Sequence, residues 1–205
     1  MPSFLVIGHR VSTDGKFSLN DLCGSAGRLD VLLRCVNSAF MLSNDIRRDV
    51  DLYLLLLGEP DPPKAIHFRG SELKYLNPDE RSTGALVKNA LMKRADAGWQ
   101  MSTPGIYVAR KGMDDLFGEF QGKRIVYLRE NGASASTVSL SPNDIFVLGG
   151  KDDLTSEEEK AIQAWPDTLR ISLGPKSLHA DHCITVALNM LDMSGLPVSP
   201  NKHHE

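Results

Sequence analysis

The sequence predicts an α/β fold with a largely parallel sheet, because two kinds of segment alternate along it. Short, continuously apolar runs bounded by Gly, Pro or Asp recur through the chain, and stretches with helical periodicity or helix caps fall between them. Parallel neighbours in a sheet need crossover connections of that kind.

Residues 4–7 are the first predicted strand. Leu29, Leu32, Leu33, Val36 and Phe40 then repeat at i, i+3, i+4, i+7 and i+11, which lays one apolar stripe along a helix over 27–41. The run 52–57 is the longest apolar stretch and is bounded by Asp51 and Gly58-Glu59-Pro60. It falls far short of the roughly 20 residues that cross a bilayer, so it reads as a buried strand, followed by another at 65–68. Asn77-Pro78-Asp79-Glu80 offers a capping side chain, proline at the first helical position and glutamate at the third, predicting a helix through Leu91. Strands are expected at 106–109, 124–128 and 145–148. Thr155 to Glu158 forms a capping box before Ile162 and Trp165; a strand at 169–173 and a helix from near Ser177 through Leu191 complete the pattern. The tail 197–205 is expected to be mobile.

At 205 residues and 41% hydrophobic, the chain can bury one full core. Met1-Pro2-Ser3 runs straight into the first strand with no basic leader segment, which predicts no secretory signal and a cytoplasmic protein. Three widely spaced cysteines, Cys23, Cys35 and Cys183, exclude a disulfide framework and a CxxC pair, as fits a reducing compartment. The net charge of −3 argues against a generally basic coat, so any nucleic-acid-binding face must be local; the first 120 residues are charge-neutral, which places such a face there.

Several segments are candidates for chemistry. There is no GxGxxG and no P-loop, Gly174-Pro175-Lys176-Ser177 failing at the proline, and there is no GxSxG, so dinucleotide, kinase and α/β-hydrolase chemistries are disfavoured. His179, His182 and Cys183 stand at i, i+3 and i+4, where they could converge on zinc; against this, no second His or Cys cluster supplies the rest of a site, and a cysteine on an apolar helix face is ordinarily a small core residue. Gly24-Ser25-Ala26-Gly27 before a helix is either a turn with its cap or an anion pocket to which Arg28 adds charge. Arg28, Arg34, Arg47 and Arg48 would make a phosphate-binding patch if they shared a surface. Gly149-Gly150 and Gly174-Pro175 follow predicted strands, where the ends of parallel sheets take ligands and glycine lets a flat group approach; a plain turn is the alternative. Ser102-Thr103-Pro104-Gly105 is a turn or a small-residue loop beneath a substrate.

Taken in order, Asp21-Leu22-Cys23-Gly24-Ser25-Ala26-Gly27-Arg28-Leu29-Asp30, Asn44 to Asp49, Gly70-Ser71-Glu72-Leu73, Asn77 to Arg81, Ser102 to Val108 and Leu178-His179-Ala180-Asp181-His182-Cys183-Ile184-Thr185 resemble the archaeal tRNA pseudouridine N1-methyltransferases of the SPOUT superfamily. The match spans nearly the whole chain. It implies a single SPOUT-type α/β domain over 1–196, with a C-terminal trefoil knot and cofactor site within about 124–193. It further implies S-adenosyl-L-methionine as cofactor, RNA of tRNA type as substrate, a homodimer, and no requirement for metal or membrane. Carried over by position, cofactor contacts fall on Leu128, Gly149, Gly150, Ile171, Leu173 and Cys183.

The chemistry implied is N1 methylation of pseudouridine, whose N1 carries a proton that uridine lacks. A carboxylate, or a water held by one, can take that proton, and alignment of the two reacting groups supplies much of the rate. Asp30 is the candidate to assist at N1, and Arg28 the candidate to hold phosphate or a base carbonyl. The rival readings are a non-catalytic RNA-binding SPOUT homologue and, behind it, a structural zinc protein. His179 and His182 are left without an assigned role.

Overall fold

In the computed structural model, which describes residues 1–195, eight strands form one mixed sheet in the order β4-β5-β3-β2-β1-β7-β6-β8. The strands are β1 (Ser3–Gly8), β2 (Asp51–Leu56), β3 (Lys64–Arg69), β4 (Gln100–Thr103), β5 (Ile106–Ala109), β6 (Ile125–Ser134), β7 (Ile145–Gly149) and β8 (Thr168–Ser172). The helices are α1 (Leu29–Phe40), α2 (Glu80–Leu91), α3 (Met113–Glu119), α4 (Ser156–Gln163) and α5 (Ala180–Gly195). The expected tail at 197–205 lies outside the described residues.

The sheet has two characters. From β2 through β1, β7 and β6 to β8 every pairing is parallel, whereas β2-β3, β3-β5 and β5-β4 are antiparallel. The parallel part is the part expected from alternating strands and helices. The antiparallel part arises because β2 to β3 and β4 to β5 are joined by short connections with no room for a crossover.

Side chains alternate across the sheet, and both faces are covered. Phe4, Val6, Leu52, Leu54, Phe146 and Leu148 point into the core shared with α1, α2 and α5. Leu5, Ile7, Leu55, Ile145 and Val147 point into a second core with Leu116 and Phe117 of α3 and Ile162 of α4. A strand buried on both faces has no polar side, which is why these runs read as continuously apolar in the sequence. Each such side chain, taken fully out of water, contributes about 1.5–3 kcal/mol.

Local chemistry sets the element ends. Asp79, and not Asn77, caps α2: its Oδ1 accepts the Ser82 amide at 2.8 Å, so the helix starts two residues later than the Asn-Pro pair indicates. Thr155 and Glu158 form the expected reciprocal box, at 3.3 and 2.7 Å. Asp115 accepts the Gly112 amide at 2.8 Å and starts α3, a seven-residue helix the sequence pattern did not expose. Ser102-Thr103 belongs to edge strand β4, and Pro104-Gly105, with Gly105 at φ +81°, is its turn into β5. The chain there is a hairpin turn, the first of the two conformations expected.

Candidate active site

The middle of β6, where its ladder to β8 breaks after Leu128, and the C-terminal ends of β7 and β8 open into a cleft of about 380 Å³, closed on its far side by the N-terminal parts of α1 and α5. Sheets with parallel strands bind ligands at this edge because the crossovers leave strand ends uncovered there. The segments that face the cleft are 127–130, 148–154, 172–173 and 176–180, with Cys183 from α5, Val31 and Arg34 from α1, and Arg28 just before it.

Of the residues expected to bind cofactor, Leu128, Gly149, Gly150, Leu173 and Cys183 line this cleft. Ile171 does not; it is fully buried, and its backbone is pressed by the segment after Leu128. Leu128 and Ala133 both pair with Ile171, so residues 129–132 bulge out of the β6–β8 ladder and the strand returns to the same partner. Gly132 makes this possible, because a Cβ there would lie 2.5 Å from the Ile171 carbonyl carbon. The glycines after β7 answer to the protein's own backbone as well. A Cβ on Gly149 would sit 2.2 Å from the Asp152 carbonyl oxygen, and the Gly150 amide donates to Ile7 at 2.8 Å.

Arg28 lines the cleft and Asp30 lies just behind it. Arg28 stands at φ 70°, ψ 33° immediately before α1, a left-handed conformation uncommon for a residue with a side chain. Gly27 before it is also left-handed, and a Cβ there would lie 1.8 Å from the Arg10 carbonyl oxygen. This tight entry aims the Arg28 guanidinium at Asp30, with Nε to Oδ1 at 2.9 Å and Nη2 to Oδ2 at 3.1 Å. Arg34, one turn on, donates from Nη1 to Asp30 Oδ2 at 3.0 Å. The Arg28 hydrogen bonds, aided by Arg34, hold the Asp30 carboxyl below the usual carboxylate range against the opposing effect of burial. Asp30 is therefore an anion that fixes two cations.

The anion pocket considered for Gly24 to Gly27 is filled from within: Asp21 accepts the Gly24 and Ser25 amides at 2.8 and 3.0 Å, so the turn reading holds. The four arginines split into two pairs. Arg28 and Arg34 face the cleft, while Arg47 is tied to Asp192 of α5 at 2.8 and 2.6 Å and Arg48 donates to the Leu73 carbonyl.

The acids on the cleft wall are also engaged: Asp152 by Arg10, and Asp153 by Arg129 at 2.6 Å. Glu130 accepts from the Ser177 hydroxyl, linking the segment after β6 to the one after β8. Lys151 and Lys176 face the cleft and form no ion pair among the described residues. Burial pushes the Cys183 thiol up to about 11, so it is a neutral, weakly polar wall at physiological pH. The His179 and His182 rings meet edge to face with centroids 5.8 Å apart, and among the described residues no three His, Cys, Asp or Glu side chains converge as metal ligands. His179 lines the cleft, a placement for which the zinc spacing gave no hint. Val31 and Arg34 follow Arg28 at successive steps of three along one side of α1, the only sequence signal that joins them to the cleft.

The cleft suits a nucleoside cofactor with an amino-acid arm. It has apolar walls at Leu128, Leu148 and Leu173, two glycines with no side chain to block approach at Gly149 and Gly150, and charged groups of both signs along its lining.

Known proteins resemble this chain over nearly its whole length. The family model described as "Putative SAM-dependent RNA methyltransferase" matches residues 1–196. The chain is 48% identical over 195 residues to the tRNA (pseudouridine(54)-N(1))-methyltransferase of Methanococcoides burtonii, covering 94% of this chain and 96% of that one. It is 47% identical over 199 residues to the enzyme of that name from Haloferax volcanii, covering 95% and 98%. Among solved structures, Archaeoglobus fulgidus Nep1 bound to S-adenosylhomocysteine superposes with a TM-score of 0.64 at 13% identity, over 94% of this chain and 97% of that one, a likeness of fold.

Proposed function

The chain belongs to the S-adenosylmethionine-dependent RNA methyltransferase family that includes the archaeal tRNA pseudouridine N1-methyltransferases, and we propose that it methylates N1 of a pseudouridine in tRNA. The observation that carries the substrate is the near-full-length identity to relatives named for that reaction. The one that carries the chemistry is the cleft at the parallel strand ends, faced by an arginine pair.

The cofactor fits this cleft, with the main chain at Leu128, Gly149, Gly150 and Leu173 and the neutral Cys183 thiol as its wall. When bound, it supplies a methyl group on a sulfonium that leaves as a neutral thioether. The protein's own task is then to orient the base so that, as the N–C bond forms and the C–S bond breaks, the N1 proton passes to a solvent water. Arg28 faces the cleft and would hold a phosphate or base carbonyl there. Asp30 reaches the reaction through Arg28: both of its oxygens are taken by guanidinium groups, so it sets their position and the local field in place of acting as a free base.

The same reading places a trefoil knot within about residues 124–193, a rare exception to the rule that chains do not thread loops. Supporting it are β7 inserted between β1 and β6, β8 placed outside β6, and the tight passage of Gly132 across Ile171 before α5 returns to α1. It also takes the molecule as a cytoplasmic homodimer. The partly buried Leu140 and Met190, in a shallow groove between residues 136–140 and α5, and the exposed Met193 support an apolar contact there.

Transfer of labelled methyl from S-adenosylmethionine to tRNA, with and without its pseudouridines, tests the reading. Incorporation is expected only with pseudouridine; incorporation that persists without it would refute the substrate.

A further inference from the structure

Arg34 differs from Arg28 in how much of its hydrogen-bonding capacity the protein uses. Both line the cleft, and both touch Asp30. Arg28 spends its Nε and Nη2 on a two-point contact. Arg34 makes a single hydrogen bond, Nη1 to Asp30, and no other from its guanidinium among the described residues. A guanidinium carries five N–H donors in a planar fork, so most of this one is unspent.

Its surroundings keep it poised without saturating it. Glu80, at the start of α2, lies 3.5 Å from Nη1, and Asp181, in the first turn of α5, lies 4.0 Å from Nε, both beyond a strong hydrogen bond. Asp181 is 9% exposed, and its Oδ1 is buried with no hydrogen-bond partner. Asp181 thus attracts the Arg34 guanidinium by charge without taking up one of its N–H donors. With Asp30, Asp181 and the half-exposed Glu80 around it, the Arg34 side chain lines the cleft and is 35% exposed, so it is open to a ligand arriving from solvent.

We propose that Arg34 is a substrate-anchoring residue, whose fork takes a phosphodiester group of the RNA at the cleft while Asp30 and Asp181 hold it in reach. A phosphodiester matches the fork with two acceptor oxygens and one negative charge, and it would fill the donors that the protein leaves open. This rests on the RNA-methyltransferase reading, but binding can be measured without turnover.

The test is equilibrium binding of a pseudouridine-containing tRNA to the full chain, over a series of salt concentrations, alongside calorimetry with S-adenosylhomocysteine. Arg34→Gln is expected to weaken tRNA binding by about tenfold and to lower the slope of log affinity against log salt by about 1. Its affinity for S-adenosylhomocysteine should stay within about twofold, since one phosphate contact and not the cofactor is removed. Arg34→Lys, which keeps the charge and loses the fork, should restore the salt slope and recover only part of the affinity. If Arg34→Gln does not fold, the lysine variant alone decides: an affinity equal to the parent's overturns the proposal. So does a folded Arg34→Gln with unchanged tRNA affinity and slope, and so does an equal loss toward S-adenosylhomocysteine, which would assign the fork to the cofactor's carboxylate. A parent that binds tRNA but transfers no methyl group would defeat the enzymatic reading while leaving this test readable.

Discussion

The two halves of the sheet contain similar materials and do different things with them. In the antiparallel half, β2, β3 and β5 carry Tyr53, His67 and Tyr107, with Tyr53 and His67 stacked at 4.1 Å and Trp99 tilted over both. Charged groups are present too: Arg69 lies over the Tyr107 ring and bonds Glu72 at 2.8 Å, while His67 Nε2 and Asp51 approach to 3.6 Å. In the parallel half, Arg28, Arg34 and Asp30 form a comparable cluster. The difference lies in the connections. Hairpin turns fold the antiparallel strands onto one another, whereas crossovers leave a cleft between the middle of β6 and the ends of β7 and β8. A cluster of ionisable groups marks a site here only where the topology also supplies space and donors that the protein does not consume.

The sharpest break between the halves is expected from Phe68→Ala. Phe68 is fully buried on β3. Its truncation should cost about 3–5 kcal/mol in chemical denaturation, while the protein that remains folded binds S-adenosylhomocysteine with parental affinity. A lost affinity in the folded fraction would mean that the halves are coupled.

Next in size is Gly132→Ala, in the parallel half. Its Cβ would meet the Ile171 backbone at 2.5 Å, so a loss of about 1–3 kcal/mol is expected, together with weaker cofactor binding as the end of β6 shifts. Gly174→Ala, where a Cβ meets nothing within 4 Å, should stay within about 0.5 kcal/mol of the parent. Calorimetry and denaturation on the two variants separate an enforced glycine from a tolerated one.

Asp30→Asn, which weakens the hydrogen bonds to Arg28 and Arg34, should cost about 1–2 kcal/mol of stability. Because the folded-state pKa of Asp30 is lowered, its contribution is present above the unfolded value near 3.9 and fades as pH falls through the folded one. The difference in stability between parent and variant should thus be constant near neutrality and shrink below about pH 4. Methyl transfer should slow in the variant with cofactor affinity retained; a variant with parental turnover would remove Asp30 from the account.

Much of the fold was legible because apolar runs buried on both faces announce themselves. All the strands expected at 4–7, 52–57, 65–68, 106–109, 124–128, 145–148 and 169–173 are present, with ends displaced by a few residues. β4 was missed because an edge strand such as Gln100–Thr103 has little apolar character, and α3 because seven residues are too few for a helical period. The antiparallel half was also not foreseen, since strand direction depends on connections that composition does not encode. At the site, the glycines after β7 were visible as exposed backbone. Arg34 was visible only as one of four arginines, because which of them share a surface is decided by α5 and Asp192, far along the chain.

The central claim is that the cofactor lies at the parallel strand ends. Backbone amide NMR shifts of the full chain on titration with S-adenosylhomocysteine test it most directly. The account predicts shifts concentrated at 128–130, 148–154, 172–180 and Cys183, with β3, β4 and β5 unmoved. Saturable binding whose shifts centre on the antiparallel strands, or no binding at all, would contradict it.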